Sequence, residues 1–253
     1  MGEVLWNRMT AAELRGAADQ GAIVLLPVAS TEQHGPHLAT GVDTFLGGEV
    51  CRRTAELVAV QRPIVVAPTV WMGLAEHHVA YGGTFSVSLR TYHALLRDLC
   101  DAILRAGFKK IVIVNSHGGN TAALATLVTD LTRELKAPIA TTSVYGLPHR
   151  SKAFAAVLED QEGVRHACEA ETSMMMTAFS ACVRKEKLPE AFGPKDLDSP
   201  TTQPLLVWKS FKDVTPCGVM GDARRASAEK GERLLTIAAK LLADELISGA
   251  PWH

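Results

Sequence analysis

Short apolar runs rich in β-branched residues alternate along this chain with longer stretches in which apolar positions recur every three or four residues. Runs of the first kind predict buried β-strands. The second spacing, with capping residues at its ends, predicts amphipathic helices. The predicted strands are 22–29, 63–70, 84–88, 110–116 and 137–144, and the predicted helices are 10–21, 44–59, 91–106, 121–135, 164–181 and 226–247.

The alternation of strands and helices predicts an α/β fold with a mostly parallel central sheet and helices on both faces. The length of 253 residues suits one large domain, so we treat 1–253 as a single domain. The segment 185–222 interrupts the alternation, because it is rich in proline and has few periodic apolar positions. We interpret it as a long excursion, a lid or an oligomer contact, rather than a second domain.

Charge and composition argue against two classes of partner. Lys and Arg number 26 and Asp and Glu number 27, so no basic excess is present to hold a nucleic-acid backbone. No apolar run approaches the ~20 residues of a membrane helix, and the start of the chain shows no secretory signal. The five cysteines include no Cys-x-x-Cys pair, which argues against disulfides and a cysteine zinc site. We therefore expect a cytoplasmic protein that binds neither nucleic acid nor membrane.

Residues with metal-binding side chains follow two of the predicted strands. Glu32, His34, His37 and Asp43 come after the first strand, and His117 follows the strand at 110–116. In open α/β sheets, ligands bind at these carboxyl ends of the strands. Histidines mixed with carboxylates suit Zn²⁺, Mn²⁺, Fe²⁺ or Co²⁺ better than Mg²⁺ or Ca²⁺. An ordinary polar turn is the alternative interpretation of the His-Gly-Pro-His segment by itself.

Other candidates carry less weight. The run Glu76-His77-His78 favours a structural or substrate-pocket role, because adjacent histidines diverge. His149 is a weaker candidate for lining a pocket. The methionines at 174–176 point in three directions on a helix, which predicts a core segment rather than a copper site.

Three motifs together resemble the creatininase family, creatinine amidohydrolase and its relatives. They are Glu-Gln-His-Gly-Pro-His-Leu at 32–38 with Asp43, Asn-Ser-His-Gly-Gly-Asn at 115–120, and His166 with Glu-Thr-Ser at 171–173. The resemblance spans nearly the whole chain.

The resemblance implies two divalent metal ions per chain, zinc or manganese, in a binuclear centre. Glu32, Asp43 and His117 would hold one ion, and His34 the other, with the Asp43 carboxylate bridging. His166 would match the acid/base histidine of the family. The family also assembles as hexamers, so the resemblance implies a homo-oligomer.

This sequence departs from creatininase itself at one motif. Creatininase has His-Tyr-Glu-Asn where this chain has His-Gly-Gly-Asn at 117–120, so the carboxylate that completes the second metal site is missing. We expect Glu171 to replace it; Glu169 is the rival, and orientation of a ligand histidine is the alternative role for Glu171. On one continuous helix His166 and Glu171 would lie about 140° apart, so both face the metals only if the helix begins after His166.

The leading functional hypothesis is a metal-dependent amidohydrolase that opens a C–N bond of a small cyclic amide, a formamide or a peptide-like substrate. A hydroxide bridging the two metals would attack the carbonyl, and His166 would supply a proton to the nitrogen. The first alternative is a lactone hydrolase with the same site, and the second is an inactive metal-binding scaffold. Creatinine is in doubt as substrate, since 144–165 contains no Trp to lie over its ring.

Overall fold

The computed structural model describes residues 2–159, 161–195, 205 and 207–252. The strands within these residues form a parallel sheet in the order β2–β1–β3–β4. They are β1 Ile23–Val28, β2 Ile64–Val66, β3 Lys110–Asn115 and β4 Ile139–Ser143.

Helices follow the strands as the periodicity predicts. The first begins at a capping box in which Thr10 and Glu13 satisfy each other's backbone N–H groups. The helices are α1 Ala11–Asp19, α2 Val42–Val58, α3 Leu89–Arg105, α4 Thr121–Leu135, α5 Lys152–Ala155, α6 Glu169–Ala178 and α7 Ala228–Ser248. None of these described helices has the length and apolar character needed to cross a membrane.

Side chains of β1 alternate between two apolar layers, one on each face of the sheet. Ile23 and Leu25 pack in the layer that contains α2, α6 and α7, whereas Val24 and Leu26 pack in the layer that contains α3 and α4. This period of two is the geometry of a strand buried on both faces. The predicted α/β fold, with a parallel sheet and helices on both faces, is confirmed.

The predicted strand at 84–88 is wrong. Residues 84–88 make only isolated bridges, Phe85 with Thr31 and Ser86 with Gly73, so this segment contacts loops rather than the sheet. Of the strand predicted at 63–70, only the three residues of β2 are observed as a strand. Pro68 has no N–H for a ladder, and the chain returns to β1 only at an isolated bridge between Val70 and Val28.

The helix predicted at 164–181 begins five residues late, at Glu169. Ala167 stands before it with φ of +52°, a left-handed conformation that no helix can contain. His166 therefore lies outside α6. This meets the condition under which His166 and Glu171 can both face the metals.

The excursion at 185–222 is described in part, since 196–204 and 206 lie outside the described residues. Its described ends pack on the domain: Met220 bridges His166, and Phe192 bridges Asp222. Short 3₁₀ turns run at Lys185–Glu190 and Phe211–Asp213. Its role as a lid or an oligomer contact stays a prediction.

Candidate metal centre

Six polar side chains converge beyond the carboxyl ends of β1 and β3. The loop after β1, the first turn of α2, the loop after β3 and the start of α6 supply them. They are Glu32, His34, Asp43, His117, His166 and Glu171, and all are buried except His166, which is partly buried. The structure thus brings together every residue that the family resemblance and the Glu171 prediction assigned to the centre, whereas His37, also a candidate from the sequence, is not among them.

Short polar side chains fix these loops to one another. The Asn120 amide donates to the carbonyl of Ala29 at 3.2 Å and accepts from the N–H of Leu74 at 2.9 Å. The Ser116 hydroxyl donates to the backbone oxygen of Asp43 at 2.8 Å. The side chains are therefore held in place by the protein itself, which is what a preorganised site requires.

The Asp43 carboxylate lies between two pairs of side chains. Its Oδ1 is 3.4 Å from Nε2 of His34, and its Oδ2 is 3.1 Å from Nδ1 of His117. The same nitrogen of His117 is 2.9 Å from Oε2 of Glu32, and Nε2 of His34 is 4.0 Å from Oε1 of Glu171. One carboxylate in contact with two such pairs is suited to bridge two cations.

One ring nitrogen of His34 and one of His117 contact backbone carbonyls. Nδ1 of His34 lies 3.2 Å from the carbonyl oxygen of Glu32, and Nε2 of His117 lies 3.2 Å from that of Leu74. Carbonyl oxygens only accept, so these nitrogens donate, and the opposite ring nitrogens are left facing the carboxylates, where each holds either a second proton or a cation.

Several buried atoms at the centre lack a hydrogen-bond partner. Oε2 of Glu32, Nε2 of His34 and Oδ2 of Asp43 make no hydrogen bond within the described part of the chain. Buried polar atoms of this kind are costly unless a proton or a metal ion lies among them. The donor set therefore fits bound divalent ions.

The charge of the site leads to the same conclusion. Glu32, Asp43 and Glu171 are almost fully buried, and among the described residues their ion pairs are all with histidines. Burial raises the pKa of Glu171 to about 7, and the charge of Asp43 adds to this rise. Burial lowers the pKa of His34, but the neighbouring carboxylates outweigh it and raise that pKa to about 9. The site thus favours positive charge, which metal ions supply.

Ligand atoms within 4.8 Å of one another form three overlapping groups in the described chain. These are Glu32, Asp43 and His117; His34, Asp43 and Glu171; and Glu32, His34 and His166. The first two correspond to the two ligand sets expected from the sequence. The third also places His166 within reach of an ion.

Glu169 and Glu171 lie in different surroundings, although they are two residues apart on α6. Oε1 of Glu169 is 2.6 Å from Nζ of Lys230, and both its carboxylate oxygens accept from the N–H of Glu159. Oε2 of Glu171 accepts from the N–H of Ala167 at 2.6 Å, and its Oε1 faces His34. The geometry therefore favours Glu171 over Glu169 as the replacement acid.

The loop after β3, as it is folded in this chain, has no room for a side chain at Gly119. A Cβ at this position would lie 2.4 Å from the carbonyl oxygen of Leu74 and 2.4 Å from Nε2 of His117. Both atoms belong to the hydrogen bond that fixes the tautomer of His117. A side chain at 119 would therefore displace a candidate ligand.

His166 turns Nδ1 towards the centre, where it faces Oε1 of Glu32 at 3.6 Å. Its Nε2 contacts Gln33 twice, at 2.8 Å from the backbone carbonyl oxygen and at 3.0 Å from the side-chain Nε2. Burial lowers the pKa of His166 well below its ordinary value, and the charge of His34 lowers it further. The ring is therefore neutral in the metal-free chain.

The sequence patterns did not predict that Gln33 and His78 would orient a carboxylate of the centre. Nε2 of Gln33 donates to Nδ1 of His78 at 2.9 Å, so Nε2 of His78 carries the proton and faces Oε1 of Glu32 at 3.4 Å. Such a partner orients a ligand carboxylate. The Glu76-His77-His78 run was the available signal, and a structural or pocket role for it agrees with this geometry.

Phe211 reaches the same place from the excursion. Its ring centroid lies 4.5 Å from that of His78 and 5.0 Å from that of His166. No sequence signal pointed to it, because a single aromatic residue in a proline-rich segment has no pattern around it.

Several other histidines do not join the groups. Nε2 of His37 lies 2.7 Å from the hydroxyl of Thr172, and His37 is in none of the ligand groups of the described residues. The His77 ring stacks on His117 without entering a ligand group of the described residues. His149 packs beside Gly163 rather than at the centre.

Comparison with known proteins identifies the family. Residues 7–246 match the family Creatininase, described as creatinine amidohydrolase. The chain belongs to the creatininase family. The resemblance drawn from the three motifs is confirmed.

Relatives of this creatininase-family chain carry several names. It is 27% identical to the creatinine amidohydrolase of Pseudomonas putida, over 97% of this chain and 95% of that one. It is 30% identical to a mycofactocin precursor peptide peptidase of Mycobacterium tuberculosis, over 83% and 79%. A 34% match to the 3-dehydro-scyllo-inosose hydrolase of Thermotoga maritima covers 46% of this chain and only 36% of that protein. All three names are those of hydrolases, and this chain is a creatininase-family hydrolase.

Solved structures show the same fold. The crystal structure of a creatinine amidohydrolase superimposes with a TM-score of 0.86 at 23% identity, covering 99% of both chains. Two further creatininases, a manganese form and a mutant of Zn-Zn type, give TM-scores of 0.83 and 0.84 at 22% and 23% identity and cover 99% of this chain and 100% of theirs.

Proposed function

We propose that this creatininase-family hydrolase is a metal-dependent amidohydrolase that cleaves a C–N bond of a small amide. The observation that carries the proposal is the Asp43 carboxylate, whose two oxygens face ring nitrogens of two different buried histidines, His34 and His117. The manganese and Zn-Zn creatininases with the same fold support it.

Two divalent ions, Zn²⁺ or Mn²⁺, would be held by overlapping ligand sets; Fe²⁺ and Co²⁺ suit the same donors. Glu32, Asp43 and His117 would hold one, and His34, Asp43 and Glu171 the other. When bound, such ions lower the pKa of a water molecule towards 7 and polarise the carbonyl under attack.

His166 would move the proton that amide cleavage requires. An amide nitrogen is a poor leaving group until it is protonated. Nδ1 of His166 would accept the proton released by the attacking water, because it faces the centre while Nε2 is held by Gln33. The proton would then pass from Nδ1 to the nitrogen as the C–N bond breaks.

Metal analysis followed by a substrate screen tests the proposal. We expect purified protein to carry up to two transition-metal ions per chain. Metal-stripped protein should regain hydrolysis of cyclic amides, formamides or short peptides when Zn²⁺ or Mn²⁺ is added. Protein that takes up no metal would exclude the metal centre, whereas metal uptake without hydrolysis would favour the inactive scaffold.

Creatinine should be a poor substrate. The segment 144–165 has no Trp to stack on a creatinine ring, and Gly118 and Gly119 add no side chain to the site. An aromatic stacking contact is worth roughly 1 kcal/mol beyond its buried area. Turnover of millimolar creatinine comparable to that of the Zn²⁺-loaded protein on its best amide would contradict this expectation.

Hydrolysis of a lactone C–O bond is the second candidate. The relative from Thermotoga maritima, named for 3-dehydro-scyllo-inosose rather than for an amide, favours keeping it. The same ligands would serve, and the leaving oxygen would need less help from His166. Paired amide and lactone analogues of one ring size should separate the two, since only the amide rate should depend strongly on His166.

We further propose a homo-oligomer, a hexamer by family resemblance. Trp71 and Phe85 support it, because their side chains are exposed and their ring centroids lie 5.5 Å apart, so that they form one apolar patch. Light scattering should give about six times the chain mass of 27.1 kDa. A monomer at micromolar concentration would contradict it.

A further inference from the structure

Phe211 is an aromatic side chain that the excursion brings to the candidate centre. Its ring lies edge-on to that of His166, with centroids 5.0 Å apart and planes at 72°, and its centroid lies 4.5 Å from that of His78. It also lies edge-on to His77, at 6.3 Å and 70°. The His77 ring in turn stacks on the candidate ligand His117 at 5.7 Å. Phe211 therefore contacts the acid/base candidate and reaches the side of His117 as well.

Backbone hydrogen bonds hold Phe211 in its short 3₁₀ turn. The hydroxyl of Ser210 accepts from the N–H of Lys212 at 3.3 Å. The carbonyl oxygen of Phe211 accepts from the N–H groups of Val214 and Thr215, both at 3.0 Å. The turn thus fixes the backbone from which the ring projects.

This turn is attached to the element that carries two of the histidines it contacts. That element is the 3₁₀ turn Glu76–Tyr81. Its last residue, Tyr81, donates a hydrogen bond from its hydroxyl to the carbonyl oxygen of Thr215. The position of Phe211 at the centre is therefore supported by a contact that does not involve the ring itself.

The exposure of the six candidate side chains shows where solvent reaches the centre. Five of them are at most 4% exposed, whereas the side chain of His166 is 12% exposed. A substrate that reaches the ligand atoms therefore enters beside His166. Phe211, which contacts the His166 ring and is itself 9% exposed, borders this entrance.

We propose that the Phe211 ring forms the wall of the substrate pocket beside the leaving group and selects amides with an apolar group on the scissile nitrogen. This inference rests on the proposed amidohydrolase function. In that reaction His166 passes a proton to the leaving nitrogen, so the nitrogen comes within hydrogen-bond distance of the His166 ring. The group attached to the nitrogen then lies within reach of Phe211. An apolar group is favoured there, because its contact with the ring removes both surfaces from water.

Phe192 offers a matched contrast within the same excursion. Its side chain is 50% exposed, and its ring centroid lies 4.2 Å from Cζ of Arg224. This aromatic residue faces solvent rather than the centre, so its removal tests the general effect of losing a phenyl ring from the excursion.

N-Cyclohexyl-N-hydroxyformamide and N-methyl-N-hydroxyformamide test the wall without turnover. The two compounds present the same pair of zinc-binding oxygens and differ only in the group on nitrogen. Calorimetry on the Zn²⁺-loaded wild type should give a Kd about tenfold or more lower for the cyclohexyl compound, because it buries several more methylenes in an apolar pocket.

Phe211→Ala removes the wall and should reduce this Kd ratio to about threefold or less, because the cyclohexyl group loses its contact. Phe211→Leu keeps part of the apolar surface and should give an intermediate ratio. Zinc content and the Kd of the methyl compound should stay at wild-type values in both variants. Phe192→Ala is the control and should leave both Kd values unchanged. The ratio of kcat/KM for N-cyclohexylformamide and N-methylformamide should follow the same order.

Four results would overturn the inference. The first is a wild type that binds the two compounds equally, and the second is an unchanged Kd ratio in Phe211→Ala. The third is an equal weakening of both compounds, or loss of zinc, in the Phe211 variants, which would mean that the ring only supports the fold of the site. The fourth is the same fall of the ratio in Phe192→Ala.

Failure of the proposed function gives a different pattern. If the wild type binds zinc but hydrolyses no amide, the proposed function fails, while the Kd ratios still decide whether Phe211 forms an apolar wall of the pocket. A chain that takes up no zinc would overturn both.

Discussion

Both faces of the sheet are covered by apolar layers, but the two layers are built differently. On one face, the buried residues of α3 are Tyr92, Leu96, Cys100 and Ile103, spaced three or four apart. On the other, α6 buries a continuous run from Glu169 to Met175 that includes two glutamates. The first helix presents one apolar stripe, whereas the second is enclosed by α2, α7 and the loops of the candidate centre.

The face with α3 and α4 therefore mainly stabilises the fold, whereas the face with α6 carries residues of the candidate centre. The face with α3 and α4 contributes apolar packing, worth about 25 cal/mol per Å² removed from water. The face with α6 contains charges that are costly when buried without partners. It tolerates them because Lys230 pairs with Glu169, and because Glu171 lies among histidines at the centre.

The largest effects should come from truncating one residue of the candidate centre and one residue of the α3 face. His117→Ala should remove metal and reduce kcat by about 10⁴-fold or more, because the attacking water would lose its activation. It should still fold, since it changes a loop at a strand end. Leu96→Ala on α3 should do the reverse, costing about 2–5 kcal/mol of stability while keeping metal. Metal analysis with urea unfolding checks both, and similar losses in the two variants would break the comparison.

His166→Ala should reduce kcat by about 10²- to 10⁴-fold while keeping metal, the usual contribution of a positioned acid or base. His93→Ala is the control, because His93 lies on α3, partly exposed and away from the centre. Loss of metal from His166→Ala would instead assign His166 as a ligand, which its group with Glu32 and His34 makes geometrically feasible. Near-normal turnover would exclude both roles.

Glu171→Gln and Glu169→Gln should separate the two buried acids. Glu171→Gln should lose about one metal equivalent per chain with little loss of folding. Glu169→Gln should keep both metals but cost about 1–3 kcal/mol, because it weakens the buried contact with Lys230. If Glu171→Gln binds both metals at normal affinity, Glu171 only orients a histidine.

In metal-free protein, the effect of Glu171→Gln on stability should depend on pH. The pKa of Glu171 is raised to about 7 in the folded chain, against about 4.3 in an unfolded one. Between these values the native chain keeps a proton that the unfolded chain releases, so the contribution of Glu171 to stability is lost as pH rises. The stability of Glu171→Gln relative to wild type should therefore increase from pH 5 to pH 7, measured by urea unfolding in a chelator. A flat difference would contradict the raised pKa.

The same contrast explains what could be predicted from the sequence. α3 and α4 have one buried stripe each, so periodicity predicted them within two residues of their observed bounds. Glu32, His34, Asp43 and His117 were found because strand ends and residue chemistry both pointed to them, and a family resemblance supplied His166. These signals are local, or carried by a long motif.

What was missed depends on contacts between distant segments. The start of α6 is set by the left-handed Ala167, whose N–H donates to Glu171, and no periodicity reveals that. The segment 84–88 has strand-like residues, but its neighbours are loops rather than a sheet edge. Phe211 reaches the centre from a segment without a motif. Only the assembled fold shows which side chains face the site.

The smallest effect should come from Ala167 itself. A left-handed conformation costs an L-residue about 1–2 kcal/mol, whereas glycine adopts it freely and loses about 0.5–1 kcal/mol of chain entropy instead. Ala167→Gly should therefore change stability by less than about 1 kcal/mol, with metal content unchanged, because the N–H donor to Glu171 is kept. Ala170→Gly, inside α6 and fully buried, should cost about 1 kcal/mol or more. Urea unfolding of the two variants compares them directly. A clear destabilisation by Ala167→Gly would show that the Ala167 methyl group packs against the centre more strongly than its backbone is strained.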